Sequence, residues 1–453
     1  MKKQLLALSL LATPGLMADY DDAGAKANSY SQGQCGTCCQ TPCCCKPCCV
    51  PQPKKCIDCE CYTPAYYDLQ CDWGFSLSGD FLYWYARETN LAYSARVTAT
   101  PVENAFTNDD QPVALDHNII SPTSTQYQNV NWKPGFRIGL GWNTDCDGWD
   151  AYLTWTYMRN TRSDSTSTDQ FSDTDLFTGE TVAIPGAGQQ ALINPWINAG
   201  LLFRETKLGT DLNYIPPMFT KISAKWKMQY NVIDLEFGRK YWLSRCFTLR
   251  PYGGLRGGWV KTTFNTTSTR DLSDLESIVG IADANYSVDV NFTNRFWGVG
   301  LIGGLQPNWH FCSNFILFSN LEGGLLWGEF ERKRSENYSA TVRAPETSTQ
   351  PSALSTWSSS SSDRFYQMYP VLDFAIGFRW EENWCCDRYK TALDIGWEHH
   401  VWIDVNHREK TDRAYVVTDS TDPFTEATGV GGIDEATGNL GMGGLVIRLR
   451  VDF

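Results

Sequence analysis

Ten segments of the chain alternate apolar and polar residues with a period of two, and this repetition constrains the fold more than any other feature. In the first segment, Phe75, Leu77 and Phe81 fall on one face and polar residues such as Asp80 on the other. This period is typical of β-strands with two different faces. The alternation slips near Asn231, which predicts a β-bulge there. The ten segments comprise residues 74–87, 131–142, 148–158, 225–238, 247–260, 295–305, 314–330, 365–380, 389–403 and 445–453.

The connections between these segments alternate in length. Short polar turns follow the second, fourth, sixth and eighth segments, and long loops rich in Ser, Thr, Asn and Asp follow the others. Transmembrane barrels have short periplasmic turns and long outer loops. No apolar run, including the short one at the N-terminus, is long enough for a transmembrane helix. The sequence therefore predicts an all-β fold, an antiparallel up-and-down transmembrane β-barrel. It has at least ten strands, because the loop over residues 161–224 is long enough to hold another hairpin.

The N-terminus predicts export. Two lysines, a short apolar run over residues 5–11 and a small residue, Ala18, describe a signal peptide cleaved after Ala18. A membrane anchor is the alternative, but the run is shorter than the roughly 20 residues that span a bilayer. We expect a signal peptide over 1–18, a Cys-rich periplasmic segment over 19–72, and an outer-membrane barrel over 73–453. The net charge of −13 disfavours nucleic acid as a partner, and outer-membrane lipid is the expected one.

All seventeen cysteines fall on the predicted periplasmic side. Twelve lie in the N-terminal segment and five in the short turns. In an exported protein this density predicts disulfides, and the odd number favours a bond to another chain or a free thiol. Bound metal and a disordered, reduced tail are the alternatives, with two Cys-x-x-Cys pairs but no His in the segment. The disulfide candidates are Cys35, Cys38, Cys39, Cys43, Cys44, Cys45, Cys48, Cys49, Cys56, Cys59, Cys61, Cys71, Cys146, Cys246, Cys312, Cys385 and Cys386.

Charged residues on the polar faces of the strands are predicted to line the barrel lumen. Rings of such residues set ion selectivity in pores. The alternative is a web of ion pairs that fills a narrow lumen, since about eight strands leave no channel and about sixteen leave a wide one. The predicted lumen-facing residues are Lys133, Arg137, Arg250, Arg256, Arg379, Arg448, Asp150, Asp373 and Asp394, with Arg450, Asp80 and Glu398 beside them.

Histidines are the main candidates for catalysis, and their arrangement disfavours it. His399 and His400 lie near the outer end of the ninth segment, close to Asp404. Adjacent residues of a strand point to opposite faces, so the two imidazoles cannot act on one substrate. We therefore expect no enzymatic activity, no metal site and no cofactor, and we place both histidines at the membrane interface.

Three segments resemble one family of outer-membrane proteins. Residues 73–84, 132–142 and 249–256 are similar to segments of the major-outer-membrane-protein-like porins of Legionella and of chlamydia-like bacteria, and the resemblance covers residues 72–453. It implies a porin for small hydrophilic solutes that is also cross-linked by disulfides to other Cys-rich envelope proteins. The alternative function is a structural envelope protein or adhesin with a closed barrel. Fourteen or more strands would favour a pore. Homo-oligomerisation stays open.

Overall fold

A computed structural model gives the fold of the barrel region. It describes residues 74–108, 111–143, 149–171, 173–174, 181–182, 188–197, 203–206, 212–215, 218–244, 246–271, 283–311, 314–343, 353–385, 388–416 and 428–453. The predicted signal peptide and Cys-rich segment lie outside these residues, as do all the cysteines except Cys246 and Cys385. Cys246 is disulfide-bonded.

Ten long strands form the barrel. They are β1 (Phe75–Glu88), β2 (Trp132–Asn143), β3 (Trp149–Ser167), β4 (Lys221–Arg239), β5 (Phe247–Asp271), β6 (Asp283–His310), β7 (Phe315–Arg343), β8 (Ala353–Trp384), β9 (Tyr389–Val416) and β10 (Thr428–Asp452). Each strand pairs antiparallel with the next. The last strand returns to the first, with Ser76 opposite Asp452 and Glu88 opposite Leu440. The barrel is therefore closed, and the predicted all-β antiparallel fold is confirmed with ten strands.

The long loops contain further short strands, but none of those described enters the barrel wall. Ala92–Asn108 and Gln111–Tyr127 form a hairpin after β1, which Gln190–Ile193 and Met218–Phe219 extend into a four-stranded sheet. The other short strands of these loops are Asp173–Thr174, Thr181–Val182, Phe203–Thr206 and Leu212–Ile215. Tyr241–Ser244 is different: it lies in the short turn between β4 and β5 and pairs antiparallel with the start of β5, so it belongs to the barrel sheet. Among the described residues no helix is long and apolar enough to cross a membrane.

The predicted bulge near Asn231 is wrong. Strand β4 keeps an unbroken register with both neighbours from Lys221 to Gly238. The apolar residues change face instead: Tyr230 and Val232 are buried inside the barrel, whereas Ile233 and Phe237 are exposed on its outer surface. The sequence alternation slips because the barrel interior becomes apolar at the level where the outer surface becomes polar. A break in register does occur between β9 and β10, after Trp402.

The outer surface of the barrel is apolar in its periplasmic half and polar in its outer half. Towards the periplasmic turns, large apolar side chains such as Phe81, Leu140 and Leu301 are exposed, which is the band expected to face lipid. Aromatic residues such as Trp259 and Trp297 end this band on the outer side. The strands continue well beyond it, because β8 alone has 32 residues and a membrane-spanning strand needs about 9–11. The predicted strands were too short at their outer ends.

Candidate functional site

Charged side chains fill the periplasmic half of the barrel interior. They occupy alternate positions of the strands, and the intervening residues face outwards. Their opposite charges pair across neighbouring strands and across the lumen. We call this set the charged layer: Asp80, Arg137, Asp150, Asp234, Glu236, Arg250, Arg256, Glu322, Asp373, Arg379, Asp394, Glu398, His400 and Arg448.

Arg137 joins three strands within this layer. Its guanidinium nitrogens lie 3.1 Å from Asp80 Oδ2 and 2.8 Å from Glu398 Oε2. Arg448 contacts the same Asp80 carboxylate at 2.8 Å from the other side. The Asp80 side chain is fully buried, so its charge is compensated by two arginines and not by water.

Arg256 is the centre of the layer. Its three guanidinium nitrogens contact three carboxylates, Asp234 at 2.6 Å, Glu322 at 2.7 Å and Asp373 at 2.6 Å. These residues come from β4, β5, β7 and β8, so one side chain links widely separated parts of the wall. Each charge is almost completely withdrawn from solvent. Removing one partner of such a network leaves buried charge uncompensated, which is strongly destabilising.

The remaining predicted lumen residues divide into two groups. Arg250 contacts Asp150 at 2.5 Å and Glu236 at 3.0 Å. Arg379 donates to Asp394 at 2.7 Å. Lys133 differs from them: it is half-buried opposite Trp84, near the outer end of β2, and forms no ion pair with the described residues.

A polar cavity of about 270 Å³ lies within and below the charged layer. Its lining runs from Trp84 and Tyr230 to Asn143, His310 and Asn383 at the periplasmic ends of the strands. The cavity is therefore on the periplasmic side of the barrel.

Above the charged layer, large apolar side chains meet in the middle of the barrel. Nine of the ten strands contribute one residue each, and every one of them is at most 5% exposed. Strand β2 contributes Gly135 at this level, opposite Met158. We call this set the apolar layer: Trp84, Met158, Tyr230, Val260, Phe296, Leu326, Tyr369, Trp402 and Met442.

Trp402 crosses the whole lumen. It lies on β9, and its ring centroid is 5.8 Å from that of Tyr230 on β4, five strands away and so on the opposite wall. It also contacts Phe296, with ring centroids 5.9 Å apart. A Cβ atom at Gly258 on β5 would lie only 2.7 Å from the tip of the indole. The apolar layer thus leaves no space for water between opposite walls at this point.

The sequence matches the model of the Legionella pneumophila major outer membrane protein precursor family over residues 70–453. This chain belongs to that family. It is a protein of the bacterial outer membrane, as the sequence predicted. No individual curated protein matches the sequence.

Several solved barrels are similar in structure, at low identity. The outer membrane protease OmpT from Escherichia coli has a TM-score of 0.32 and 8% identity, over 84% of this chain and 98% of that chain. The toluene transporter TodX from P. putida has a TM-score of 0.20 and 9% identity, over 84% and 91%. A Pseudomonas aeruginosa FadL homologue has a TM-score of 0.21 and 8% identity, over 84% and 89%. At these TM-scores the likeness says nothing about ligand or activity.

The outer mouth of this family member is also occupied. Trp196, from the loop between β3 and β4, packs edge-on against Phe264 and Phe292, with ring centroids 5.9 and 5.4 Å away. Asn194 donates to Thr266 and Ser268 at 2.9 Å each. The loop therefore enters the barrel and packs on its inner wall.

The two adjacent histidines separate as strand geometry requires, but only one lies near the membrane interface. His399 faces outwards beside Tyr85. His400 is buried inside the barrel, 2.7 Å from Asp373 and 3.4 Å from Glu398, so its predicted interfacial position is wrong. The sequence does contain a signal for this position: His400 is separated from Glu398 and from Asp394 by an even number of residues, which places all three side chains on the same face of the strand.

Proposed function

We propose that this protein is a structural component of the outer membrane whose barrel is closed to solutes in its resting state. One observation carries the proposal: Trp402 and Tyr230 touch from opposite walls, within an apolar layer to which nine strands contribute. The strand number supports it too, because ten strands are close to the size at which side chains fill a barrel.

The buried ion pairs support the same function. A hydrated ion channel would leave charged groups in contact with water. Here the side chains of Asp80, Arg256 and Asp373 are at most 7% exposed. Their charges are used to hold the wall together, not to select ions in transit.

The porin predicted from the family resemblance is a second candidate function. The polar cavity of about 270 Å³ below the apolar layer favours it, because a cavity of this kind could be one half of a solute path. Conduction then requires the apolar layer and the loop at the outer mouth to move.

Liposome swelling in isotonic sugar separates the two candidates. Proteoliposomes of the refolded protein should swell no faster than empty liposomes, whereas those with a known open porin should swell rapidly. Swelling at the porin rate would support the porin and contradict the closed barrel.

We also propose that the cysteines cross-link the protein to other Cys-rich envelope proteins. Cys246, at the periplasmic turn between β4 and β5, is disulfide-bonded, so at least one cysteine on this side of the barrel is placed close enough to another to form a bond. Envelopes prepared with the thiols blocked should show high-mass bands on non-reducing gels. With reductant these bands should collapse to a single band at the mass of the chain, 51.1 kDa. A monomer under both conditions would contradict cross-linking.

We infer no enzymatic activity. Among the described residues, His400 is hydrogen-bonded to two carboxylates and not to a hydroxyl or thiol nucleophile. Hydrolysis of peptide or ester substrates by the pure protein, lost in His400→Gln, would contradict this inference.

A further inference from the structure

Basic residues lie directly beyond the outer aromatic border of the barrel. On five strands the residue two positions outward from a border aromatic is Arg or Lys, and each of these cations is exposed on the outer surface. The pairs are Tyr85 and Arg87, Tyr157 and Arg159, Trp259 and Lys261, Trp297 and Arg295, and Tyr366 and Arg364. This spacing puts a positive charge where the lipid-facing band meets the polar outer surface.

On β5 to β8 these cations converge. Glu331 is contacted by two of them, Arg364 at 3.0 Å and Arg295 at 3.4 Å, and by a further cation on its own strand, Lys333, at 3.0 Å. Arg364 also lies 4.0 Å from Glu329. Lys261 is directly opposite Arg295 in the β5–β6 register. We call this set the basic border site: Lys261, Arg295, Glu329, Glu331, Lys333 and Arg364.

The basic border site has two more cations than carboxylates. Like charges directly opposite each other on neighbouring strands, as Lys261 and Arg295 are, repel and destabilise the pairing. The carboxylate of Glu331 is buried beneath the cations, whereas the side chains of Arg295, Lys333 and Arg364 are 52%, 46% and 65% exposed. The guanidinium and ammonium groups therefore keep donors available to an external anion.

The site also adjoins lipid. Trp327 and Tyr366 stack on each other on the adjoining outer face, with ring centroids 6.2 Å apart, and both are more than half exposed. A ligand here would have acyl chains against the aromatic band and an anionic headgroup at the cations. Arginine binds phosphate oxygens through paired N–H donors, and basic clusters beside a membrane recognise anionic lipid headgroups.

We propose that the basic border site binds an outer-leaflet lipid whose headgroup carries a phosphate monoester. A phosphate monoester has close to two negative charges at neutral pH, which matches the excess of two cations. A phosphate diester has one charge and leaves the repulsion between Lys261 and Arg295 half compensated.

The test uses the refolded full chain in phosphatidylcholine nanodiscs, with diphosphoryl lipid A as the probe and native mass spectrometry to measure binding. Lys261→Gln, Arg295→Gln and Arg364→Gln are combined in one variant. The matched control combines Lys221→Gln, Lys225→Gln and Lys227→Gln, which removes the same charge from exposed positions further out on β4. Heat-modifiable migration on gels verifies that all three proteins are folded.

We expect the border variant to bind lipid A about a hundred-fold more weakly than the wild type, because each of the three cations removed contributes about five-fold to the affinity. The control variant should bind like the wild type. Dephosphorylated lipid A should bind the wild type as weakly as lipid A binds the border variant. Equal affinity of the three proteins for lipid A would overturn the proposal. So would tight binding of the dephosphorylated lipid, or equal competition by phosphatidylglycerol, whose phosphate is a diester.

Discussion

The charged layer and the apolar layer occupy neighbouring levels of one barrel and are stabilised in different ways. Six strands contribute to both layers with residues four positions apart, for example Asp80 and Trp84 on β1, Asp234 and Tyr230 on β4, and Glu398 and Trp402 on β9. In the charged layer each arginine makes directional contacts with specific carboxylates. In the apolar layer the rings fill space. The first layer should fix which strands lie together, and the second should determine whether anything passes.

The most destabilising single change is expected in the charged layer. Arg256→Met leaves Asp234, Glu322 and Asp373 without their shared partner. Breaking one buried pair costs about 3–5 kcal/mol, and three carboxylates are affected here. The free energy of unfolding, from urea titration of the protein in lipid vesicles, should fall by at least this amount.

A compensated variant checks the cause of that loss. Adding Asp234→Asn, Glu322→Gln and Asp373→Asn to Arg256→Met removes the uncompensated charges, so most of the stability should return. A loss below about 1 kcal/mol in Arg256→Met alone would show that the pairs do not hold the wall, because a broken buried pair costs several times more.

In the apolar layer the expected loss comes from a cavity and not from charge. Trp402→Ala should lower the free energy of unfolding by about 3–5 kcal/mol, as for other buried aromatics. Trp297→Ala, at a lipid-facing position that is 48% exposed, is the matched control and should lose less. Equal losses in the two variants, measured by the same titration, would mean that Trp402 is no more tightly packed than a surface ring.

Overpacking the same layer should have a smaller effect. At Gly258→Ala the new methyl group meets the Trp402 indole at 2.7 Å, and overpacking costs about 1–3 kcal/mol. Gly253→Ala, also on β5, is the control because its nearest neighbour is 3.8 Å away. Trp402→Phe should rescue Gly258→Ala. If it does not, the two residues are not in contact.

The smallest effect is expected where charges reach the surface. Arg332 contacts Asp363 at 3.1 Å and Glu435 at 2.7 Å, but these carboxylates are about half exposed. Arg332→Gln should cost about 0–1 kcal/mol, as is usual for exposed pairs, and 0.5 M salt should reduce the difference from the wild type. A loss as large as that of Arg256→Met would remove the distinction between buried and surface pairs.

Much of the fold could be predicted because lipid imposes a strict alternation on each strand. Phe81 and Asp80 differ so clearly that the faces of β1 follow from the sequence, and turn lengths give the strand order. The outer ends of the strands were missed because the lipid no longer dictates which face is apolar once a strand extends beyond the lipid-facing band. On β4 the polar Lys227 and Gln229 face outwards and the apolar Met228 and Tyr230 face inwards, the reverse of the pattern nearer the periplasm.

The apolar layer was missed for a related reason. A Trp in a membrane barrel suggests the lipid interface, and composition does not distinguish Trp84 from Trp132. The spacing does, because Trp84 is four residues from Asp80 and Trp402 is four residues from Glu398, so each indole shares the face of a charged residue. The contact between Trp402 and Tyr230 itself could not be predicted, since it depends on the diameter and stagger of the closed barrel.

Single-channel recording in planar bilayers tests the closed barrel most directly. The wild-type protein should give no conductance steps at moderate voltage in about 1 M KCl. At this ionic strength the Debye length is roughly 3 Å, so charges at the barrel mouth are screened and the apolar layer is the remaining barrier. The double variant Trp402→Ala and Tyr230→Ala, which removes both rings that meet across the lumen, should give steps or frequent transient openings. Stable, ion-selective steps from the wild type, unchanged in the double variant, would contradict a lumen closed by the apolar layer.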